Sequence, residues 1–260
     1  MNDTWHWHTH NEHSYLTTNL LKQWRHGFFT RDSWPHSPEV LNHCLDETAA
    51  VYRAKQVHGK TVLNPSDFPL AVWQCENGER PEADGVMTLA SQQAAWVCTA
   101  DCTPVLIADA GTGQVAAVHA GWRGTALRIV PEAIHQMQAQ GSRLPNLRVA
   151  MGPAIAGEVY QVTTHVAVEI GRSLPDVADD DETLLAKLQA MEVPPVFPDP
   201  EPGRIRLDVR RINALQLIQL GLDAEQIAIA PHCTYQEAER FFSYRRTREK
   251  KVQWSGIVST

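Results

Sequence analysis

Hydrophobic positions are densest in the middle of the chain. "QAAWVCTADCTPVLIAD" (93–109) and "GQVAAVHAGW" (113–122) are two strong apolar segments joined by "AGTG". Apolar runs of this length between turn residues predict buried strands, and the glycine-rich joint predicts a hairpin. Upstream, "AKQVHGKTVLN" carries β-branched Val57, Thr61 and Val62 around a turn at Gly59, and "ADGVMTLA" reads as a turn entering a strand. From Trp5 to Trp24, strand-like residues give way to an amphipathic end.

Beyond the hairpin the period changes to that of helices. In "TALRIVPEAIHQMQAQG", Leu127, Val130, Ile134 and Met137 recur at helical spacing, with Thr125 as cap and Gly141 as stop. Pro131 weakens the first part of that helix. "NLRVAMGPAI" alternates as a strand. "DVRRINALQLIQLG" predicts a helix capped by Asp208, burying Val209, Ile212 and Leu215, and ended by Gly221. Asp223 and Gln226 form a capping box before a short strand in "DAEQIAIA". "EVPPVFPDPEPG", Glu192 to Gly203, reads as a long surface loop inside one domain. This mixed order predicts an α+β fold, a single domain over residues 1–260 with mixed β-sheet flanked by helices.

Composition narrows the function. The 260 residues are 43% hydrophobic and 20% charged, so the chain can bury a substantial core. A net charge of −7 argues against coating nucleic acid or anionic membrane, while leaving room for one local phosphate pocket. The first residues have neither the basic start nor the apolar core of a signal peptide, and no segment is apolar enough to span a bilayer. Five scattered cysteines fit a reduced, cytoplasmic chain better than a disulfide framework.

Three of the reactive residues, His58, Cys102 and His119, sit beside strand ends or glycine turns. Two imidazoles and a thiolate make a three-ligand zinc set with a vacant fourth position, the catalytic pattern. Their long spacing leaves open a plainer alternative, a core cysteine and two hydrogen-bonded histidines. In "HAGWRGT", glycines bracket Trp122 and Arg123 before Thr125. That is either an anion pocket at a helix start or a tight turn with its arginine in solvent.

"KQVHG" (Lys55–Gly59), "ADGVMT" (Ala83–Thr88), "TADCTPVLIAD" (Thr99–Asp109), "VAAVHAGWRGT" (Val115–Thr125), "MGPAI" (Met151–Ile155) and "FFSYRR" (Phe241–Arg246) occur in this order, with "RHGFFTR" near the start. Together they resemble the YfiH/laccase-domain family, also called multi-copper polyphenol oxidase or peptidoglycan editing factor. The resemblance covers nearly the whole chain. It implies one α+β domain with His58, Cys102 and His119 as catalytic metal ligands, zinc being the expected ion and copper possible. The chain departs from the family pattern in a shortened segment before "KQVHG" and in "TREKK" after "FFSYRR".

The family's names point to different reactions. A multicopper oxidase needs a blue-copper set and dense histidine pairs. Here only "HWHTH" shows such pairing, and His6, His8 and His10 read as a solvated strand edge. Other members are described as purine nucleoside phosphorylases that also deaminate adenosine and cleave methylthioadenosine. The resemblance therefore implies a zinc-dependent phosphorylase acting on adenosine, inosine and methylthioadenosine, with adenosine deaminase activity. Its small-molecule partners would be a purine nucleoside and phosphate. The expected substrate-binding set is His26, Lys55, Asp101, Arg123 and Arg245. Arg123 and the helix start near Thr125 would hold phosphate, with help from Lys55; Tyr244 and Arg245 would reach back into the pocket. Asp101, Asp84 and His26 are the candidate general acids. Tyr160 and Cys233 read as packing residues. A Cys102–His119 nucleophile–base pair, editing peptidoglycan precursors as an amidase, is the alternative. A metal-dependent binding module is a third reading.

Overall fold

The computed structural model describes residues 5–73, 75, 80–175 and 180–260. Two six-stranded mixed sheets lie face to face. In spatial order the first runs Trp5–His10, His13–Thr18, His26–Phe29, Gln253–Val258, Gln93–Thr99, Ala50–Tyr52. The second runs Ile227–Ile229, Leu147–Met151, Thr103–Asp109, Val115–Ala120, Gly85–Met87, Val62–Leu63. Alternation along the central strands explains their unbroken apolar run. Leu106 and Ala108 face the first sheet's Leu16, Phe28 and Val97. Val105 and Ile107 face the opposite way, onto Ile134, Met137 and Leu217 of the covering helices. A strand buried on both faces has no polar side to show in its sequence.

The hairpin forms as expected, pairing Thr103 with Ala120 through Ala108 with Val115. The segment 93–109, however, is not one element. Gln93–Thr99 belongs to the first sheet and Thr103–Asp109 to the second. Between them the chain crosses from sheet to sheet through Asp101 (φ 97°) and Cys102.

The helix expected from Thr125 to Gly141 is also divided. A short helix, Trp122–Ala126, starts at Gly121, and a second, Ile129–Ala139, restarts after left-handed Arg128 (φ 61°). The restart places Pro131 in the first turn of the second helix, where its missing N–H costs nothing. Thr125 is therefore interior and caps nothing; its hydroxyl accepts from Asn213 at 3.0 Å. Leu127, expected on the buried face, falls in the break and is half exposed. The helix Val209–Leu220 is capped by Asp208 and closed by left-handed Gly221 as expected. The Asp223–Gln226 capping box is present on a single 3-10 turn before Ile227–Ile229.

The 192–203 segment is not wholly a loop. Val196–Pro198 pairs antiparallel with Arg204–Leu207, which also pairs with Gln161–Thr163 in a small third sheet. Arg206, held by Asp199 at 2.9 Å, ties the turn down. His6, His8 and His10 do lie exposed on the outermost strand of the first sheet. Among the described residues no helix is long and apolar enough to cross a membrane.

Candidate metal and substrate site

Three separate segments meet where the chain crosses between the sheets. Cys102 precedes Thr103–Asp109, His119 lies near the end of Val115–Ala120, and His58 sits on a turn in left-handed conformation (φ 61°). One ligand atom from each lies within 4.8 Å of the others. The two imidazoles meet edge to face, with centroids 4.9 Å apart.

Asp84 builds the site without facing it. Its fully buried carboxylate accepts from the backbone N–H groups of Val57, His58 and Gly59 at 3.1, 2.9 and 2.7 Å. It also accepts from His119 Nδ1 at 2.7 Å. Nδ1 therefore keeps its proton whatever the ring's charge, so that when the ring is neutral Nε2 is the lone-pair donor, the arrangement that carboxylates give metal-ligating histidines. Burial opposes ionisation of Asp84, but the His119 bond and the backbone donors hold its pKa below the ordinary carboxylate range. Gln56 fixes the other flank of the His58 turn by exchanging two 2.8 Å hydrogen bonds with the Cys98 backbone.

Burial also opposes a thiolate at Cys102, yet the charge and hydrogen bonds of His119, followed by those of His58, bring its pKa down to about 6. His119 moves the opposite way. Burial lowers it, but Cys102 and Asp84 together raise it to about 9. Cys98 lacks such donors, and burial pushes its thiol up to about 12. The glycine after this strand is also accounted for: a Cβ on Gly121 would lie 3.0 Å from Cys102 Sγ, 3.6 Å from the His58 ring and 3.7 Å from the His119 ring. An ionised thiol, an oriented imidazole and a second imidazole at the cleft edge fit a divalent zinc or copper ion as a donor set.

The triad forms one wall of a cleft of about 500 Å³, whose other wall includes Tyr244 and the segment Glu249–Val252. Cys102 also borders a small side pocket with Asp101, Trp122, Ile155 and Tyr160. Arg245 connects the two. Its backbone N–H donates to Asp101 at 2.7 Å, its guanidinium to the Gln161 carbonyl at 2.7 Å, and its charge lies 4.8 Å from the Tyr160 ring centre. Burial pushes the Tyr160 phenol up to about 12, so it remains a neutral donor.

Several expected residues take other places. His26 is buried in the first sheet, with Nδ1 on the Trp24 carbonyl and Nε2 accepting from Thr18 N, so neither nitrogen can serve as an acid in the cleft. Lys55 is exposed and paired with Glu82 at 2.8 Å. Arg123 is exposed and lies over its neighbour Trp122, 4.3 Å from the ring centre. Asp84 is saturated by its four donors and cannot be the general acid. Asp101 borders the site, but its oxygens are taken by Thr234 Oγ1 and Arg245 N. Cys233 is a core residue as expected. Tyr160 lines the site although its sequence context reads as packing; an isolated Val-Tyr after a glycine turn carries no signal for this. Gln56 was equally hidden. Its position two residues before His58 is the only hint.

Residues 38–258 match the family model described as multi-copper polyphenol oxidoreductase laccase. The chain belongs to that family. It is 53% identical over 262 residues to a purine nucleoside phosphorylase of Synechocystis sp., covering 99% of this chain and 98% of that protein. It is 32% identical over 150 residues to adenosine deaminase RL5 of an unknown prokaryotic organism, covering 58% of this chain and 52% of that one. Among solved structures, YfiH of Bacillus licheniformis superposes with a TM-score of 0.79 at 24% identity, over 96% of this chain and all of that one. YlmD of Geobacillus stearothermophilus gives 0.78 at 22%, over 97% and 98%. These two structures share the α+β fold.

Proposed function

We propose that the chain is a cytoplasmic, zinc-dependent purine nucleoside phosphorylase that also deaminates adenosine. The observation carrying this reading is the His58–Cys102–His119 set opening onto a cleft of about 500 Å³, ample for a nucleoside and phosphate. Similarity to the Synechocystis phosphorylase along the full length supplies the reaction. Similarity to the deaminase supports the second activity.

In phosphorolysis a phosphate oxygen bonds to the anomeric carbon as the C–N bond breaks and its electron pair leaves with the purine. A divalent ion in the triad would supply Lewis acidity at the floor of the cleft. The chain's own residues do the positioning. Asp84 keeps the proton on His119 Nδ1, so that Nε2 faces Cys102. Asp101 anchors Arg245, and Arg245 lies against Tyr160, whose neutral hydroxyl is a hydrogen-bond donor for the substrate. The domain 1–260 works in this reading as one unit on adenosine, inosine and methylthioadenosine.

The test is incubation of metal-quantified protein with adenosine, with and without phosphate, followed by mass spectrometry. Adenine and ribose 1-phosphate formed only with phosphate are expected, together with inosine formed without it. No turnover by fully zinc-loaded protein would overturn the reading.

The ionised Cys102 beside protonated His119 favours one second reading, a thiol amidase acting on peptidoglycan precursors. Metal content separates the two, because a thiolate bound to a metal is not free to attack. An amidase would be most active metal-free. The copper-oxidase reading has less support: among the described residues this triad is the one group of three or more close metal-binding side chains.

A further inference from the structure

If phosphate is the co-substrate, some cation must face the cleft to receive it, and the residues expected in that role are committed elsewhere. Lys55 is bound to Glu82, Arg123 lies on Trp122 with its charge towards Tyr160 and the side pocket and does not line the cleft, and Thr125 is inside a helix. Arg245 is spent on the Gln161 carbonyl and Tyr160, and Arg248 lies 5.5 Å from the centre of the Tyr244 ring.

The cations on the cleft wall itself are Lys250 and Lys251. Lys251 is paired with Glu249 at 3.5 Å and lies 5.9 Å from the Phe242 ring centre. Lys250 is exposed, and among the described residues it has no ion pair or side-chain hydrogen bond.

The segment presenting Lys250 is built as a fixed arch. At its base Gln253 Oε1 accepts from Phe242 N at 2.9 Å, and Gln253 Nε2 donates to the Phe242 carbonyl at 3.3 Å, closing the chain between them. Three residues beyond Phe242, Asp101 holds Arg245 N beside Cys102. The arch is also a local reversal of charge. In a chain of net charge −7, residues 244–251 carry Arg245, Arg246, Arg248, Lys250 and Lys251 against Glu249 alone. An ammonium at the mouth of a cleft with low-dielectric walls concentrates and seats a dianion.

We infer that Lys250, carried on the arch between Phe242 and Gln253, is the phosphate-contacting residue of the cleft that His58, Cys102 and His119 also line. This rests on the phosphorylase reading and specifies which residue receives its co-substrate.

The experiment measures phosphorolysis by zinc-loaded full-length protein, varying inorganic phosphate and nucleoside separately, for the wild type, Lys250→Met, Lys250→Arg and Arg123→Met. Lys250→Met is expected to raise the KM for phosphate by about tenfold or more while changing the KM for nucleoside by less than about twofold. Lys250→Arg should keep the phosphate KM near wild type. An unchanged phosphate KM in Lys250→Met, or a rise confined to Arg123→Met, overturns the assignment while leaving the phosphorylase reading intact. Absence of phosphate-dependent turnover in the wild type instead overturns the phosphorylase reading beneath it.

Discussion

Asp84 Oδ1 accepts the Nδ1 proton of His119 at 2.7 Å, while the same carboxylate gathers the backbone N–H groups on either side of and at His58. One buried side chain therefore fixes the tautomer of one proposed ligand and the backbone of another. Asp84→Asn keeps the size but replaces one acceptor oxygen with an NH₂ that faces donors. We expect metal affinity to fall by about 10- to 100-fold, read by chelator competition, while the protein stays folded. Unchanged affinity would show that the His58 turn and the His119 ring are held by packing alone.

Gly121 tests the triad from another side. Gly121→Ala puts a methyl 3.0 Å from Cys102 Sγ and against both imidazoles, with no left-handed backbone to complicate the change. Metal content after equilibration with zinc should drop well below one ion per chain, with the thermal midpoint of the metal-free protein little altered. Full loading of the variant would mean that the ligands can spread at no cost.

Without metal, Cys102 should behave as an acidic thiol. Its thiolate form is held by His119 and His58, so its pKa lies at about 6, below the ordinary thiol value. The species that iodoacetamide alkylates is the thiolate. In chelator-treated protein, iodoacetamide modification of Cys102 should therefore slow as pH falls through about 6 and stay fast up to pH 9. His119→Gln removes the positive partner and should move that midpoint upward. Zinc should suppress the reaction throughout. A midpoint near that of a free thiol in the unsubstituted protein would contradict the ion pair.

Asp101 holds the arch to the sheet crossover through Arg245 N at 2.7 Å, while its other oxygen accepts from Thr234 Oγ1 at 2.8 Å. Asp101→Ala leaves both donors without their acceptor, at a cost of about 1–3 kcal/mol in urea unfolding. Because the arch forms one wall of the cleft, KM values for both substrates should rise as well. A loss of stability with unchanged KM would show that the arch is positioned by Gln253 and Phe242 instead.

Much of this molecule was legible one-dimensionally. Period-2 and near-continuous apolar runs located the central hairpin, and capping residues placed the helix Val209–Leu220, because these signals are local. Local signals also misled. "TALRIVPEAIHQ" has one helical period, but Pro131 fits only a helix that restarts at Ile129, and so Thr125 became interior. The 192–203 segment reads as loop from its prolines, yet Val196–Pro198 finds a partner in Arg204–Leu207 that only a folded chain supplies.

The site divides in the same way. The motifs and residue types of the sequence determined that His58, Cys102 and His119 were the reactive residues to watch, since few side chains offer imidazole or thiolate at strand ends. What the tertiary structure alone decided is that the three converge, that Asp84 is a support rather than an acid, and that His26 and Lys55 are spent elsewhere. Lining the cleft with Lys250, and the side pocket beside Cys102 with Tyr160, was also a tertiary decision. The physical reason is separation along the chain: Asp84 meets residues 57–59 and 119 only once distant strands pair in the second sheet, and Asp101 meets Thr234 and Arg245 only where the chain crosses between the two sheets. Hydrogen-bond saturation, burial and ionisation are properties of those meetings, and no pattern of neighbouring residues encodes them.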